Sequence, residues 1–427
     1  MGGAGREHDT PPPSPFRGDD GERSPSPDEL LVDDDGLVLE EVATLDDGSP
    51  PDDEDDEEDA AMAEELPEDV SRLTLAGHTG SAFCCALSPA GGALAASGGE
   101  DDCARVWRTD TGALQLTTDG HRDSVAHVAF SADGRLLATG DMAGLVQVYQ
   151  LPAGPKVWDF DIGSDLTWLG WHSATAALLA GTQDGAGWMW RVPRGDTRTL
   201  AGHGSAWTAA ALLPDGARLL AGYEDGSARL FQLRSGETLH QFGGALAHSA
   251  AVSCAAAQPA GVLVATASLD GWLRLYSAAS GKLLGALDCA PDTPAAAAGD
   301  AEEDGAGPRS VEAAAFGVSD PGLLATATVG GVLTVWDVTT QRPRHRLTGL
   351  AGLSGLRWAP AAARLFAGCL DGAVLQLDAR SSRLECRLTS APCGVLQIDV
   401  SDDGRQLLAA MDDGKLRLFD VTEPEPT

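Results

Sequence analysis

Eight units repeating about every 41 residues, seven of them with a Gly-bearing turn before an alternating strand, predict an all-β fold, an eight-bladed β-propeller preceded by a disordered acidic tail. Three observations carry this: the spacing of the units, the residue types at their turns, and an abrupt change of composition near residue 67.

The composition change comes first along the chain. Residues 1–70 hold 26 Asp/Glu against 3 Lys/Arg, a net of −23, whereas the remaining 38 acids and 26 bases give −12 of the total −35. A segment with acid runs such as Asp52 to Asp59, many prolines and few aromatics buries too little apolar surface to offset its ordering entropy, so residues 1–67 read as disordered. Within it Leu30 to Val32 and Leu37 to Leu39, followed by Val42 and Leu45, are either a segment that folds onto a partner or incidental hydrophobes of a solubilising tail.

From residue 68 to 421 the units align on Trp107, Tyr149, Trp190, Phe231, Tyr276, Trp336, Leu377 and Phe419, with steps of 42, 41, 41, 45, 60, 41 and 42 residues. Such a period holds four strands per blade. The 60-residue step places an acidic, Ala-rich insertion at about 289–308, expected as a mobile loop, and residues 422–427 as a flexible C-terminus. After Phe419 too little chain remains for a last outer strand, so Val70 to Leu75 is expected to pair with the final blade and close the ring.

The units resemble the WD-repeat family. Gly-His pairs open units at Gly77-His78, Gly120-His121 and Gly202-His203, with Ala247-His248 a variant. The turn Asp recurs as Asp101, Asp184, Asp225, Asp270, Asp371 and Asp413, while Ala143 and Gly330 depart from it and Asp102 replaces the turn Gly in the first unit. At the aligned position only Trp336-Asp337 keeps the dipeptide that names the family. Gly tolerates the positive φ of a tight hairpin, and a preceding Asp bonds the turn backbone. In this family the Asp, the His, a strand hydroxyl and the Trp form a hydrogen-bonded chain; the resemblance implies it for His78, Ser97, Asp101 and Trp107. The same network is expected to use His121, Asp184, Trp190, His203, Asp225, Asp270, Trp336, Asp371 and Asp413, so these are structural, not catalytic.

No serine-hydrolase elbow, phosphate-binding loop, dinucleotide turn or paired-His zinc motif is present, so the sequence predicts no enzyme, no metal and no cofactor. His172 reads as a turn residue. The eight cysteines show no pairing pattern, and most read as small buried strand residues. Without a signal pattern, an apolar run of bilayer length or any Asn for glycosylation, the chain is expected to be cytoplasmic, with no transmembrane segment.

Binding remains. Loops before each inner strand and the Asp-Gly turns emerge on one face of a propeller, and Glu100, Asp102, Asp123, Asp141, Asp165, Glu224 and Asp412 fall in or beside them. An acidic rim suits basic protein or peptide segments and opposes direct nucleic-acid binding. For each acid a solvated loop charge is the competing reading. Tyr223, with Trp168 and Trp207, is a candidate aromatic anchor, although strand aromatics more often face a neighbouring blade.

Local stretches narrow the resemblance to the angio-associated migratory cell protein family: Val38 to Val42, Gly98 to Asp102, Gly140 to Met142, Trp168 to His172, Trp188 to Trp190 and Gly222 to Gly226. That resemblance implies a monomeric interaction scaffold, cytoplasmic and partly at the plasma membrane, serving angiogenesis and endothelial or smooth-muscle cell migration with GTPase-pathway proteins. The alternative it implies, through a fungal relative, is a dedicated chaperone for a newly made basic ribosomal protein of the large subunit.

Overall fold

The structure, a computed structural model, describes residues 69–89, 91–152, 154–290, 307–360, 362–381, 383–389 and 392–421. The tail expected over 1–67, most of the insertion at 289–308 and the C-terminus 422–427 therefore lie outside the described residues.

The described residues form 32 strands, numbered β1 to β32 along the chain, in eight four-stranded antiparallel sheets. Seven blades are consecutive in sequence, beginning with β2 (Ala82–Leu87), β3 (Leu94–Gly99), β4 (Ala104–Arg108) and β5 (Leu114–Thr117). The eighth is composite. Its outer strand is β1 (Leu73–Ala76), which pairs with β32 (Lys415–Asp420) in the register Leu73 to Leu418 and Leu75 to Leu416. The closing strand expected from the sequence is thus present, and the ring has no seam that depends on a terminal edge.

The core is distributed around the ring. Eight apolar clusters each join one pair of neighbouring blades, including Leu75, Cys85 and Trp107 with Leu408 and Leu418 across the closure. The second strand of each blade is covered on both sides, which explains runs of small residues such as Leu-Ala-Ala-Ser-Gly-Gly at 94–99 and Leu-Leu-Ala-Thr-Gly-Asp at 136–141. Its fifth position receives the first residue of the next blade's inner strand. A Cβ added to Gly140 would lie 2.2 Å from Leu166 Cδ2, and one added to Gly222 would lie 2.4 Å from Val252 Cγ1. Glycine there is a packing requirement.

Inner strands line a central channel, where a cavity of about 510 Å³ is bounded by β2, β6 (Val125–Phe130), β10 (Leu166–Trp171) and residues of blades seven and eight. Polar side chains of the inner strand of blade eight reach the backbone of the neighbouring inner strand of blade one. Gln397 Oε1 accepts the Cys85 N–H at 2.9 Å, and Asp399 Oδ2 accepts the Leu87 N–H at 2.8 Å. Arg357 lies 3.5 Å from Asp399, and burial raises that carboxyl above its ordinary value. Among the cysteines, all free, Cys84, Cys85, Cys289 and Cys369 are buried, Cys103, Cys254 and Cys393 half-buried, and Cys386 exposed.

Two outcomes test this packing. Gly222→Ala forces a contact with Val252 and should destabilise the ring by about 1–3 kcal/mol in a denaturant melt. In the channel wall, burial lowers His127 to about 4. The folded ring holds it neutral while the unfolded chain takes up a proton near 6.5, so its stabilisation is complete above that pH and is lost as pH falls towards 4. His127→Gln should therefore flatten the stability profile between those limits, by at most about 1.4 kcal/mol per pH unit.

Candidate functional site

The candidate binding face is built by the loops that lead into the inner strands and by the turns between second and third strands. One position recurs in every blade. The residue after the second strand donates its backbone N–H to a carbonyl at the start of the inner strand, as Glu100 to Ser81 at 3.0 Å and Asp412 to Gly394 at 3.0 Å. The equivalent residues are Met142, Gln183, Glu224, Leu269, Val329 and Leu370, held by Ser124, Asp165, Ala206, Ala251, Ser310 and Gly352. These eight positions ring the channel mouth.

The rim is not uniform in chemistry. Glu100, Glu224 and Asp412 are exposed acids, and Asp123 and Asp165, also exposed, enter from the loops of blades two and three. Glu100 and Asp412 converge on one residue, since Ser81 Oγ donates to Asp412 Oδ1 at 2.7 Å and the Ser81 N–H donates to Glu100 Oε2 at 3.2 Å. Asp102 is exposed at the adjoining turn, in the left-handed region with φ of 55° where most units carry Gly. Acids thus run from blade eight through blade four. Blades five to seven instead present Leu269, Val329 and Leu370 at the rim position, an apolar arc that the sequence reading did not identify.

Two expected rim residues are elsewhere. Asp141 and Tyr223 each end the second strand of their blade, one residue before the rim position, and strand alternation turns both side chains inward, where they are fully buried. Asp141 Oδ2 lies 3.1 Å from His121 Nδ1 and accepts the Arg122 N–H at 3.0 Å, so it supplies the network carboxylate that Ala143 cannot. Those bonds, against the opposing effect of burial, hold its carboxyl below the ordinary value. Tyr223 stacks edge-on against His203 with ring centres 4.3 Å apart, and burial pushes its phenol well above the ordinary range. Trp207 is also fully buried, parallel to Phe231, whereas Trp168 is half-buried beside the channel cavity.

The polar networks vary with the fourth residue of the second strand. In blade one Ser97 Oγ meets His78 Nε2 at 2.7 Å and accepts Trp107 Nε1–H at 3.4 Å, while His78 Nδ1 lies 2.7 Å from Asp101. Burial lowers the His78 pKa, which favours the neutral ring. Blade five repeats the arrangement with His248, Thr266 and Asp270, at 2.9 Å and 3.1 Å. Blade two uses Thr139 with His121 at 2.9 Å. In blade six Trp336 donates to Thr326 Oγ1 at 2.9 Å.

Blades three, four, seven and eight carry Ala at that position and depart from the pattern. Trp190 is a correction: with Ala180 offering no hydroxyl, its indole N–H has no partner, and the ring packs against Trp158, Phe160 and Trp188. Asp184 accepts from Thr182 Oγ1 and from the Ala186 N–H. His203 turns Nε2 outward to Asp225 at 2.9 Å and to Ser227 Oγ at 3.1 Å. Asp371 holds Arg387 at 2.5 Å, and Asp413 holds Arg417 at 2.8 Å. His172 donates from Nε2 to the Gly216 carbonyl at 2.6 Å and accepts the Ala174 N–H, the geometry of a turn residue. Among the described residues no cluster of three or more His, Cys, Asp or Glu is arranged to hold a metal ion, and no helix is long and apolar enough to cross a membrane.

Comparison with known proteins agrees with this architecture. The WD domain, G-beta repeat family matches residues 70–108, 112–150, 195–232, 236–277 and 384–420. Each matched segment joins the outer strand of one blade to three strands of the next, the offset that the composite eighth blade reflects. Angio-associated migratory cell protein of Homo sapiens is 37% identical over 361 residues, covering 84% of this chain and 82% of the relative, and that of Canis lupus familiaris is equally similar. Among solved structures, Chaetomium thermophilum Sqt1 bound to the N-terminus of the ribosomal protein L10 aligns with a TM-score of 0.73 at 20% identity, over 83% of this chain and 100% of that one. Saccharomyces cerevisiae Sqt1 aligns with a TM-score of 0.72 at 21% identity, with the same coverage.

Removing one network hydroxyl gives a direct test of the structural role. Ser97→Ala removes the hydroxyl that accepts the Trp107 indole N–H and meets His78 Nε2, leaving both buried polar groups without that partner, and the melt should shift by about 1–3 kcal/mol. Asp184→Ala, at an exposed turn in a blade without that network, should stay within about 0.5 kcal/mol.

Proposed function

The chain belongs to the angio-associated migratory cell protein family of WD40 propellers, protein-interaction scaffolds, and we propose that its acidic rim captures a basic polypeptide segment, as a dedicated chaperone does for a ribosomal protein. The convergence of Glu100 and Asp412 on Ser81, continued through Asp123, Asp165 and Glu224, is the observation that carries this reading. Lys and Arg side chains laid across that arc meet exposed carboxylates at a channel mouth, where field lines focus and association is steered. The apolar arc of Leu269, Val329 and Leu370 gives the same segment a place for a hydrophobic residue.

A basic ribosomal segment needs such shielding before assembly, because its positive charge binds RNA without specificity. The likeness to a propeller solved with the N-terminus of ribosomal protein L10 supports this class of client. In this reading the protein acts as a monomer in the cytoplasm. The relatives' name favours a second reading, a scaffold for cell migration working through small-GTPase regulators, with part of the protein at the plasma membrane.

A pull-down from cell extract at low and high salt, read by mass spectrometry, separates the two. Wild type should retain one basic ribosomal protein in salt-sensitive fashion. Glu100→Lys with Glu224→Lys and Asp412→Lys should weaken that binding by roughly ten- to a hundredfold while the melting temperature holds. Recovery of GTPase regulators with no ribosomal client would overturn the chaperone reading and favour the migration scaffold.

A further inference from the structure

The opposite face of the ring carries a site of contrary sign. Loops between first and second strands and between third and fourth strands emerge there, and those of blades three and four bound a groove of about 900 Å³. Arg191 ends the third strand of blade three, Arg194 lies in the turn after it, and Arg234 occupies the corresponding turn of blade four. A fourth, Arg198, donates its guanidinium to the carbonyls of Leu233, at 3.1 Å, and Arg234, which ties the two blades together along the groove wall. Met189 and Leu233 contribute apolar lining, and Asp196 is the only acid in it.

Among the described residues, three arginines without a side-chain partner line this one cavity. In a chain with 64 acids and 29 bases, eleven arginines elsewhere hold a carboxylate. Among the described residues the side chains of Arg191, Arg194 and Arg234 make no hydrogen bond or ion pair. Three uncompensated guanidinium groups at one cavity repel one another, and an anion placed between them relieves that repulsion.

We infer that this groove binds a small phosphate-bearing ligand with at least two closely spaced negative charges. The planar guanidinium fork matches phosphate oxygens bidentately and is weakly hydrated, so it gives up water readily. The volume lies in the range of small-molecule sites. Carboxylates of an extended acidic peptide recur on one side only every two residues, about 6.6 Å apart, a lower charge density than a di- or triphosphate presents. Long polyanions also meet the net negative field of the whole ring. Screening confines interactions to roughly 8 Å at physiological salt, so a ligand short enough to stay within the groove sees mainly the arginines.

Calorimetric titration of the full chain with sodium tripolyphosphate tests the site, followed by ATP and by vesicles containing a phosphoinositide to tell a free ligand from a lipid headgroup. Wild type should bind tripolyphosphate saturably at one site. Arg191→Gln with Arg194→Gln and Arg234→Gln should weaken binding at least about tenfold, as loss of charge-assisted contacts implies. Glu100→Gln, on the other face, should leave it unchanged. Should the triple variant melt at lower temperature, each single substitution is measured instead, and each should weaken binding. Equal affinity of wild type and the arginine variants, or tighter binding of a glutamate-rich peptide than of tripolyphosphate, would overturn the assignment.

Discussion

Everything in this molecule depends on the contact between one blade's second strand and the next blade's inner strand. The side chain that opens each inner strand enters the preceding blade where its own chain supplies Gly or Ala: Val125 against Gly98, Leu166 against Gly140, Val252 against Gly222. Eight repetitions of that contact distribute the apolar core as eight clusters with no single centre, and the one across the closure joins blade one to blade eight, whose outer strand is β1. Each blade alone would leave both faces of its sheet exposed, so burial is gained only by closing the ring.

Closure also determines where polar groups can be used. Buried His, Asp and hydroxyl groups appear where the second strand supplies Ser or Thr, and there they satisfy one another. Where that residue is Ala, the carboxylates are released to other partners, such as Arg387 on Asp371 and Arg417 on Asp413. The networks therefore serve packing, and the side chains that the ring exposes at its two ends lie outside them. One end offers carboxylates and an apolar arc, the other an arginine groove. Because those ends are built by different loops, substitutions at one need not disturb the other.

The rim shows how fine the division between structure and surface is. Tyr223 and Glu224 are neighbours in sequence, yet the first is buried against His203 and the second faces solvent. Asp141 and Met142 repeat the contrast with the chemistry exchanged, since there the acid is inside and the apolar residue outside. A single step along a strand reverses the direction of the side chain, so an acid near a turn becomes a rim charge or a network carboxylate according to its register.

The amino-acid pattern alone determined the number of blades, the closing strand and the absence of familiar catalytic motifs, because these follow from local turn chemistry and from a period set by chain length per blade. It also located most of the rim acids, since Glu100, Glu224 and Asp412 sit beside turns readable from Asp and Gly. Tertiary structure alone decided which of those acids reach the surface, that the rim divides into acidic and apolar arcs, and that Arg191, Arg194, Arg198 and Arg234 share one groove. The physical reason is distance along the chain: Arg234 is brought to the others only when blade four docks on blade three, a contact that no local pattern encodes.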